Sequence, residues 1–226
     1  MNDTEKSIQA ARQLLAGRFC GVLATQSLDL PGYPFGSLVP YSLDHQGRPL
    51  LLLSHLAKHT RNLEMDPRCS LTLVEQGGGD SQQLARLCCL GRITPSVELH
   101  AKEIERHFRY FPQSRPYYEQ LNFHFYQLET ERYYWVGGFG AARWLDRGRL
   151  SYPKRFSVEE EAQLMRTPTA DHSQPQPEAT PPQVVGIDHE GIDLLQGDLL
   201  QRFPLDHPVT AIDELTRHLK QLKIIK

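Results

Sequence analysis

Ser54, Lys58, His59 and Thr60 crowd one short stretch of the chain, between the apolar run Leu50–Leu53 and the segment LAKHTRNLEMDP. Leu50–Val74 reads as strand, polar loop, short helix and strand, so these four side chains stand where a strand ends and a helix begins. A helix start offers unpaired backbone N–H groups and a partial positive charge; hydroxyls and cations gathered there make a seat for a phosphate or carboxylate. The alternative is a solvated helix start with surface charges. Asn62 and Asp66 read as local caps and turn formers, and Pro67 ends the helix before the strand Arg68–Val74.

Arg86 and Arg92 are set into the otherwise apolar run Leu84–Thr94. Six residues apart in a strand, they share a face, either looking into one cleft or outward to solvent. Guanidinium groups fork carboxylates and phosphates bidentately. Trp135–Gly140, WVGGFG, reads as a strand opening into a glycine-rich bend at Gly138, where backbone can approach a planar ligand. It lacks the spacing and βαβ setting of a dinucleotide fold. No Ser/His/Asp or Cys/His constellation, paired carboxylates or zinc signature is present, so any enzymatic chemistry must come from a cofactor.

The elements that position these residues are legible in outline. Residues 4–16 carry Ile8, Ala11, Leu14 and Leu15 on one helical stripe, with Asn2 or Thr4 to cap it and Gly17 to end it. Phe19–Thr25, Ser37–Asp44 and Leu50–Ser54 read as antiparallel strands. Pro40 makes the second an edge, a bulge or a bend where a sheet curls toward closure. Residues 96–111 are expected to be a helix opened by a Ser-x-x-Leu cap, with Val97, Ile104, Phe108 and Phe111 at helical spacing. A short helix near 114–121, strands through 123–138 and a last piece around Ala141–Leu145 follow. About six strands without βαβ order give an α+β fold around an antiparallel barrel. Arg166–Gln183, rich in proline, reads as a linker. Beyond it come two or three short strands and an amphipathic helix over Ala211–Ile225. The expected domains are 1–150, a helix and linker over 151–183, and a small α+β piece over 184–226.

With 25 basic and 27 acidic residues the formal net charge is -2, which gives no general attraction to nucleic acid or anionic membrane. The polar N-terminus and the lack of long apolar runs point to a cytoplasmic protein. Cys20, Cys69, Cys88 and Cys89 lack metal-ligand spacing and read as buried free thiols, with 88 and 89 on opposite faces of a strand. His189 reads as a turn residue.

Taken together and in order, the motifs PFGSLVPY, SHLAKHTRNLEMDPRCSL, YYWVGGFGAARWL and GIDHEGIDL resemble the FMN-binding split-barrel superfamily, the pyridoxamine 5'-phosphate oxidase-like fold. Within it they resemble the haem iron utilisation branch, which appends a small C-terminal domain. The resemblance implies an antiparallel split β-barrel with flanking helices and a homodimer with two equivalent interface pockets. It implies FMN, its phosphate in the loop from Ser54 to Thr60 and its ring along Gly36–Tyr41, which contains Ser37 and Val39. Arg143 is then an anion partner and Trp144 a stacking wall for the second subunit's pocket, with a core role the alternative for Trp144. The haem branch implies haem in the same cleft, with His59 as a candidate iron ligand. Where many relatives carry His-Met-Asn-x-Asp-His, this chain reads LMRTPTADH and retains Asp171 and His172. A flavin-dependent oxidoreductase is thus the first expectation. A haem-binding or haem-degrading protein is the second, and a cofactor-free dimeric module with Tyr41 or Phe139 filling the pocket is the third.

Overall fold

The computed structural model describes residues 2–96, 99–138, 141–150, 156–165, 182–209 and positions 211, 214, 215 and 217. Helix α1 (Asp3–Gly17) starts with a capping box: the Asn2 side chain accepts from Glu5 N–H, and the Glu5 carboxylate accepts from Asn2 N–H, each at 2.8 Å. Its stripe of Ile8, Ala11 and Leu15 is buried against the main sheet.

That sheet has eight antiparallel strands: β1 (Cys20–Gln26), β2 (Pro34–Pro40), β3 (Ser42–Leu43), β4 (Pro49–Ser54), β5 (Arg68–Val74), β6 (Arg86–Pro95), β7 (Phe123–Val136) and β8 (Ala142–Asp146). The order is β2-β1-β5-β6-β7-β4-β3, with β8 paired to the second half of β7. β2 is therefore an edge strand, which tolerates prolines 34 and 40. The chain runs from β2 through Tyr41 directly into β3 at the opposite edge, and this link curls the sheet into a split barrel. Tyr41 is buried in the closure and its hydroxyl donates to Leu15 C=O at 2.7 Å, tying the barrel to α1.

Between β6 and β7 the register shifts at Leu90/Gly91, because β7 carries Glu131 as an extra residue. Only glycine fits beside this bulge: a Cβ at residue 91 would lie 2.1 Å from Glu129 C=O. The sequence reading differs in three places. Phe123–Val136 is one 14-residue strand where more than one was expected, and the sheet has eight strands against about six expected. Helix α3 spans only Ala101–Tyr110, because Ser96 gives its N–H to Phe125 C=O at 2.9 Å and extends the β6–β7 ladder instead of capping a helix. Val97 lies outside the described residues. Third, Cys20 is exposed; Cys69 and Cys88 are half-buried, and only Cys89 is buried.

α2 (Lys58–Met65) and α4 (Arg115–Gln120, after a 3-10 turn over Pro112–Ser114) sit where expected. α5 (Arg147–Leu150) and α6 (Val158–Met165) follow the barrel. Strands β9 (Gln183–Asp188), β10 (Gly191–Gln196) and β11 (Leu199–Pro204) form a second antiparallel sheet. It has its own apolar core of Phe156, Leu164, Ile187, Ile192, Leu205, Val209 and Leu215. Positions 166–181 of the linker expected over 166–183, and most of the helix expected over 211–225, lie outside the described residues, and β9 already begins at Gln183. Among those described, no helix is long and apolar enough to cross a membrane.

The small sheet meets the barrel along α3. Val185, Leu195 and Leu200 pack with Phe19, Tyr110 and Phe111. Beside this apolar strip lies a buried ionic cluster. Glu161 of α6 accepts from Arg106 Nε (3.2 Å), Arg109 Nη2 (3.0 Å), His45 Nε2 (3.1 Å) and Ile187 N–H (3.3 Å). The Tyr110 hydroxyl accepts from Arg106 at 3.0 Å and donates to Asp193 at 2.6 Å. Burial alone would raise the Glu161 carboxyl, but Arg106, His45 and Arg109 overcome it and hold the group down at about 2. Burial likewise pulls His45 down, and the hydrogen bonds and charges of Glu103 and Glu161 outweigh it, raising the imidazole to about 9.

Candidate functional site

The end of β4 and the start of α2 set the site's geometry. Ser54 Oγ accepts from Leu56 N–H at 3.2 Å and turns the chain. The N-cap, Ala57, has no side chain to serve the first turn; its carbonyl accepts from Thr60 and Arg61, while the N–H groups of Lys58 and His59 have no partner among the described residues. The donors expected of an anion seat are therefore present.

Beside this turn a cleft of about 440 Å³ opens. Leu38, Val39 and Pro40 of β2 form one wall, Leu52–Ser54 of β4 the back, and Phe111, Tyr117 and Phe123 the far side. His59 and His107 reach it; no Lys, Arg, Asp or Glu lines it. Burial lowers the pKa of His59. His107 is 1% exposed, and burial, helped by the charge of Arg106, lowers its imidazole to about 3. Both rings are neutral at physiological pH. His107 Nδ1 is 2.9 Å from Ser42 Oγ, and its ring packs against Phe108, Phe111 and Phe125 at centroid distances of 5.0 to 5.8 Å.

Of the residues expected at a cofactor site, Val39, Ser54 and His59 come together in this cleft. Ser37 lies on β2 but outside the lining. Lys58 stands at the rim with its ammonium paired to Asp29, and is 55% exposed. Thr60 is fully buried on the inner side of α2 and does not line the cleft.

Arg86 and Gly138 belong to a different groove, about 530 Å³, on the outer face of the sheet with Thr72, Cys88, Tyr134 and Ala142. Arg92 shares that face, but six residues of strand separate it from Arg86 by roughly 20 Å. It pairs with Glu131 at 3.4 Å in the open and does not join the groove. Arg143 is 3.2 Å from Thr4 Oγ1. Trp144 is no core residue: it is half exposed, lies against Tyr134 at 4.9 Å and carries Arg132 at 5.0 Å from its ring. Tyr41 plugs the barrel and does not line the cleft; Phe139, Asp171 and His172 lie outside the described residues. His189 is buried, bonded to Val209 C=O and stacked on Phe156 at 4.1 Å. No group of three or more His, Cys, Asp or Glu among the described residues is arranged to hold a metal ion.

His107 is the residue that sequence reasoning missed. Its signal was present: it precedes Phe111 by four residues, so the two share a helical face.

Comparison with known proteins places this geometry. Residues 2–152 match the CREG beta-barrel family. The non-canonical heme oxygenase HOZ, chloroplastic, of Arabidopsis thaliana is 42% identical over 67 residues, 30% of this chain and 21% of that protein. This chain thus spans about a fifth of the plant protein's length. Heme oxygenase HutZ of Vibrio cholerae is 29% identical over 126 residues, 53% of this chain and 71% of that one. Among solved structures, a heme binding protein from Mycobacterium smegmatis superposes with a TM-score of 0.61 at 25% identity, over 99% of this chain and 98% of its own. Protein Atu2129 from Agrobacterium tumefaciens shares the fold with a TM-score of 0.71 at 22% identity, over 96% and 94% of the two chains. With its curled eight-stranded sheet and a three-stranded one beside it, the chain belongs to the CREG beta-barrel family.

Proposed function

We propose that this chain binds haem in the cleft beside α2 and acts in haem breakdown. The carrying observation is the lining: apolar walls suited to the faces of a porphyrin, two neutral imidazoles, and no permanent charge. Two relatives named heme oxygenase and a heme binding protein of the same fold support it. Bound haem would supply the oxygen chemistry. The chain's part is to hold it. His59 offers a nitrogen ligand, and the free N–H groups at the α2 start, with Lys58, receive a propionate carboxylate. Lys58 must leave Asp29 to do so, and an exposed ion pair of that kind is weakly held.

FMN is the second reading, favoured by the same uncapped helix start beside Ser54, which suits a phosphate. The chain would then be a flavin-dependent oxidoreductase. Either way we infer a homodimer. The outer face of an antiparallel sheet normally turns polar side chains to water. Here the row Leu38, Val22, Thr72, Cys88, Tyr134, Trp144 crosses it, with Leu38 74% exposed. Leu38 also lines the cleft, so a copy seated on this row walls the cleft too. Its Arg143 and Trp144 are the groups the resemblance assigns to that wall. Four free cysteines suit a reducing compartment such as the cytoplasm.

Titration of the purified protein with haemin tests the reading. A Soret band saturating at one haem per chain, weakened or shifted in His59→Ala, is expected; no Soret change removes haem. Quenching of flavin fluorescence in a parallel FMN titration decides the second reading.

A further inference from the structure

The polar groups facing the cleft differ in how firmly they are held. His59 and Gln113 have no hydrogen bond to hold their side chains among the described residues, and the Ser114 hydroxyl is already given to Phe111 C=O at 2.7 Å. His107 is fixed on all sides: by three phenylalanine rings, and by Ser42 Oγ at 2.9 Å from Nδ1.

Hydrogen-bond accounting decides which ring nitrogen carries the proton. Ser42 is 2% exposed, and Nδ1 of His107 is the sole partner of its hydroxyl among the described residues. A buried hydroxyl donates where an acceptor is offered. If Nδ1 held the proton, it would donate to Ser42 Oγ and the serine's own proton would be left buried without an acceptor. With the serine as donor, Nδ1 is the acceptor and the proton sits on Nε2. Nε2 makes no bond among the described residues, and the residue lines the cleft.

We propose that Ser42 locks His107 as the Nε2–H tautomer, and that this N–H is the cleft's fixed donor to an oxygen acceptor on the bound cofactor. A nitrogen that carries a proton cannot ligate iron, so His107 reads the cofactor's oxygen and leaves ligation to another group. The proposal deepens the cofactor reading above and rests on it only for the acceptor's identity. A propionate carboxylate and a flavin carbonyl would both present that chemistry.

Long-range nitrogen–proton NMR of the ligand-free protein, labelled with ¹⁵N-histidine, reads the tautomer directly. The expected result is His107 as the Nε2–H form in the wild type and a mixture in Ser42→Ala. An Nδ1–H imidazole in the wild type overturns the proposal, whatever the cleft binds. On loading with haemin, or with FMN where haemin gives no Soret band, His107→Phe weakens binding about fivefold to tenfold, the worth of one net hydrogen bond. Phenylalanine keeps the aromatic box filled, and circular dichroism checks that it folds. Equal affinity of wild type and His107→Phe for both cofactors also overturns the proposal. Haem dimethyl ester separates the sources: a ratio of affinities that collapses with the ester identifies a propionate oxygen, and one that persists identifies an oxygen elsewhere on the cofactor.

Discussion

Glu161→Gln is the most exacting test of how the small sheet is held to the barrel. The carboxylate is buried and is the acceptor for three cationic side chains and one backbone N–H. Oε2 faces His45, Arg109 and Arg106, while Oε1 faces Arg106 and Ile187 N–H. An amide placed there turns its NH₂ toward donors in either orientation, and Arg106, 7% exposed, loses its counter-charge. Removing one partner from a buried pair costs about 3 to 5 kcal/mol, because the other charge stays buried. For a chain of this size each kcal/mol moves Tm by roughly 2 to 4 °C, so the variant should melt about 6 to 20 °C lower. Differential scanning calorimetry measures the drop, and amide exchange locates it: protection should fall first in β9–β11. Glu159→Gln, two residues away on α6 and paired in the open with Lys102 at 2.5 Å, is the control and should leave Tm unchanged. A Glu161→Gln loss below about 1 kcal/mol, the level of an exposed ion pair, would refute the argument that this cluster holds the seam.

The same cluster sets a pH window. Glu161 is held down at about 2 from the usual 4.5, so its contribution is present above pH 4.5 and is lost as pH falls from there toward 2. His45 is raised from 6.5 to about 9, so its contribution is present below pH 6.5 and is lost as pH rises from there to 9. Urea midpoints should plateau between pH 4.5 and 6.5, and Glu161→Gln should flatten both limbs. Gly91→Ala should cost on the order of 3 kcal/mol or abolish soluble expression, since its methyl meets Glu129 C=O at 2.1 Å in backbone that cannot yield. Soluble protein of wild-type Tm would show that the bulge relaxes. Leu38→Asp, on the exposed outer row, should leave folding intact and give a monomer in sedimentation velocity where the wild type gives a dimer. Identical sedimentation of the two would move the dimer interface elsewhere.

Which parts of this architecture could be read in the sequence follows from the range of the forces involved. Local signals were readable: the Asn2 cap, the helix after Ala57 and the edge character of β2 are set by neighbours in sequence. Pro40 announced the bend, and the bend became the link that closes the barrel. The start of α3 was misread because Ser96 has two uses for its backbone, and the long-range ladder to Phe125 won over a local cap. For Thr60, residue type places it at a helix start but not on a face of that helix, and α2 buries it. Arg86 and Arg92 do share a face, yet the spacing that aligns them also keeps them too far apart to grip one anion. His107 and Glu161 were missed for a common reason. Their roles depend on partners 65 and 55 residues away, at Ser42 and Arg106, which no local pattern pairs.

α3 is where these long-range relations meet, and its periodicity makes the two halves of the molecule depend on each other. Arg106, Arg109 and Tyr110 fall three and four residues apart and face the small sheet, where they bind Glu161, Val185 C=O and Asp193. His107 and Phe111, one position further round, face the cleft. A helix of 10 residues cannot tilt one face without moving the other. Loss of the Glu161 cluster should therefore loosen the aromatic box that holds His107, and filling the cleft should in turn steady α3 against the small sheet. By the same reciprocity, a cofactor seated in the cleft should raise the melting temperature of the wild type more than that of Glu161→Gln, because in the variant the seam no longer transmits what the cleft gains.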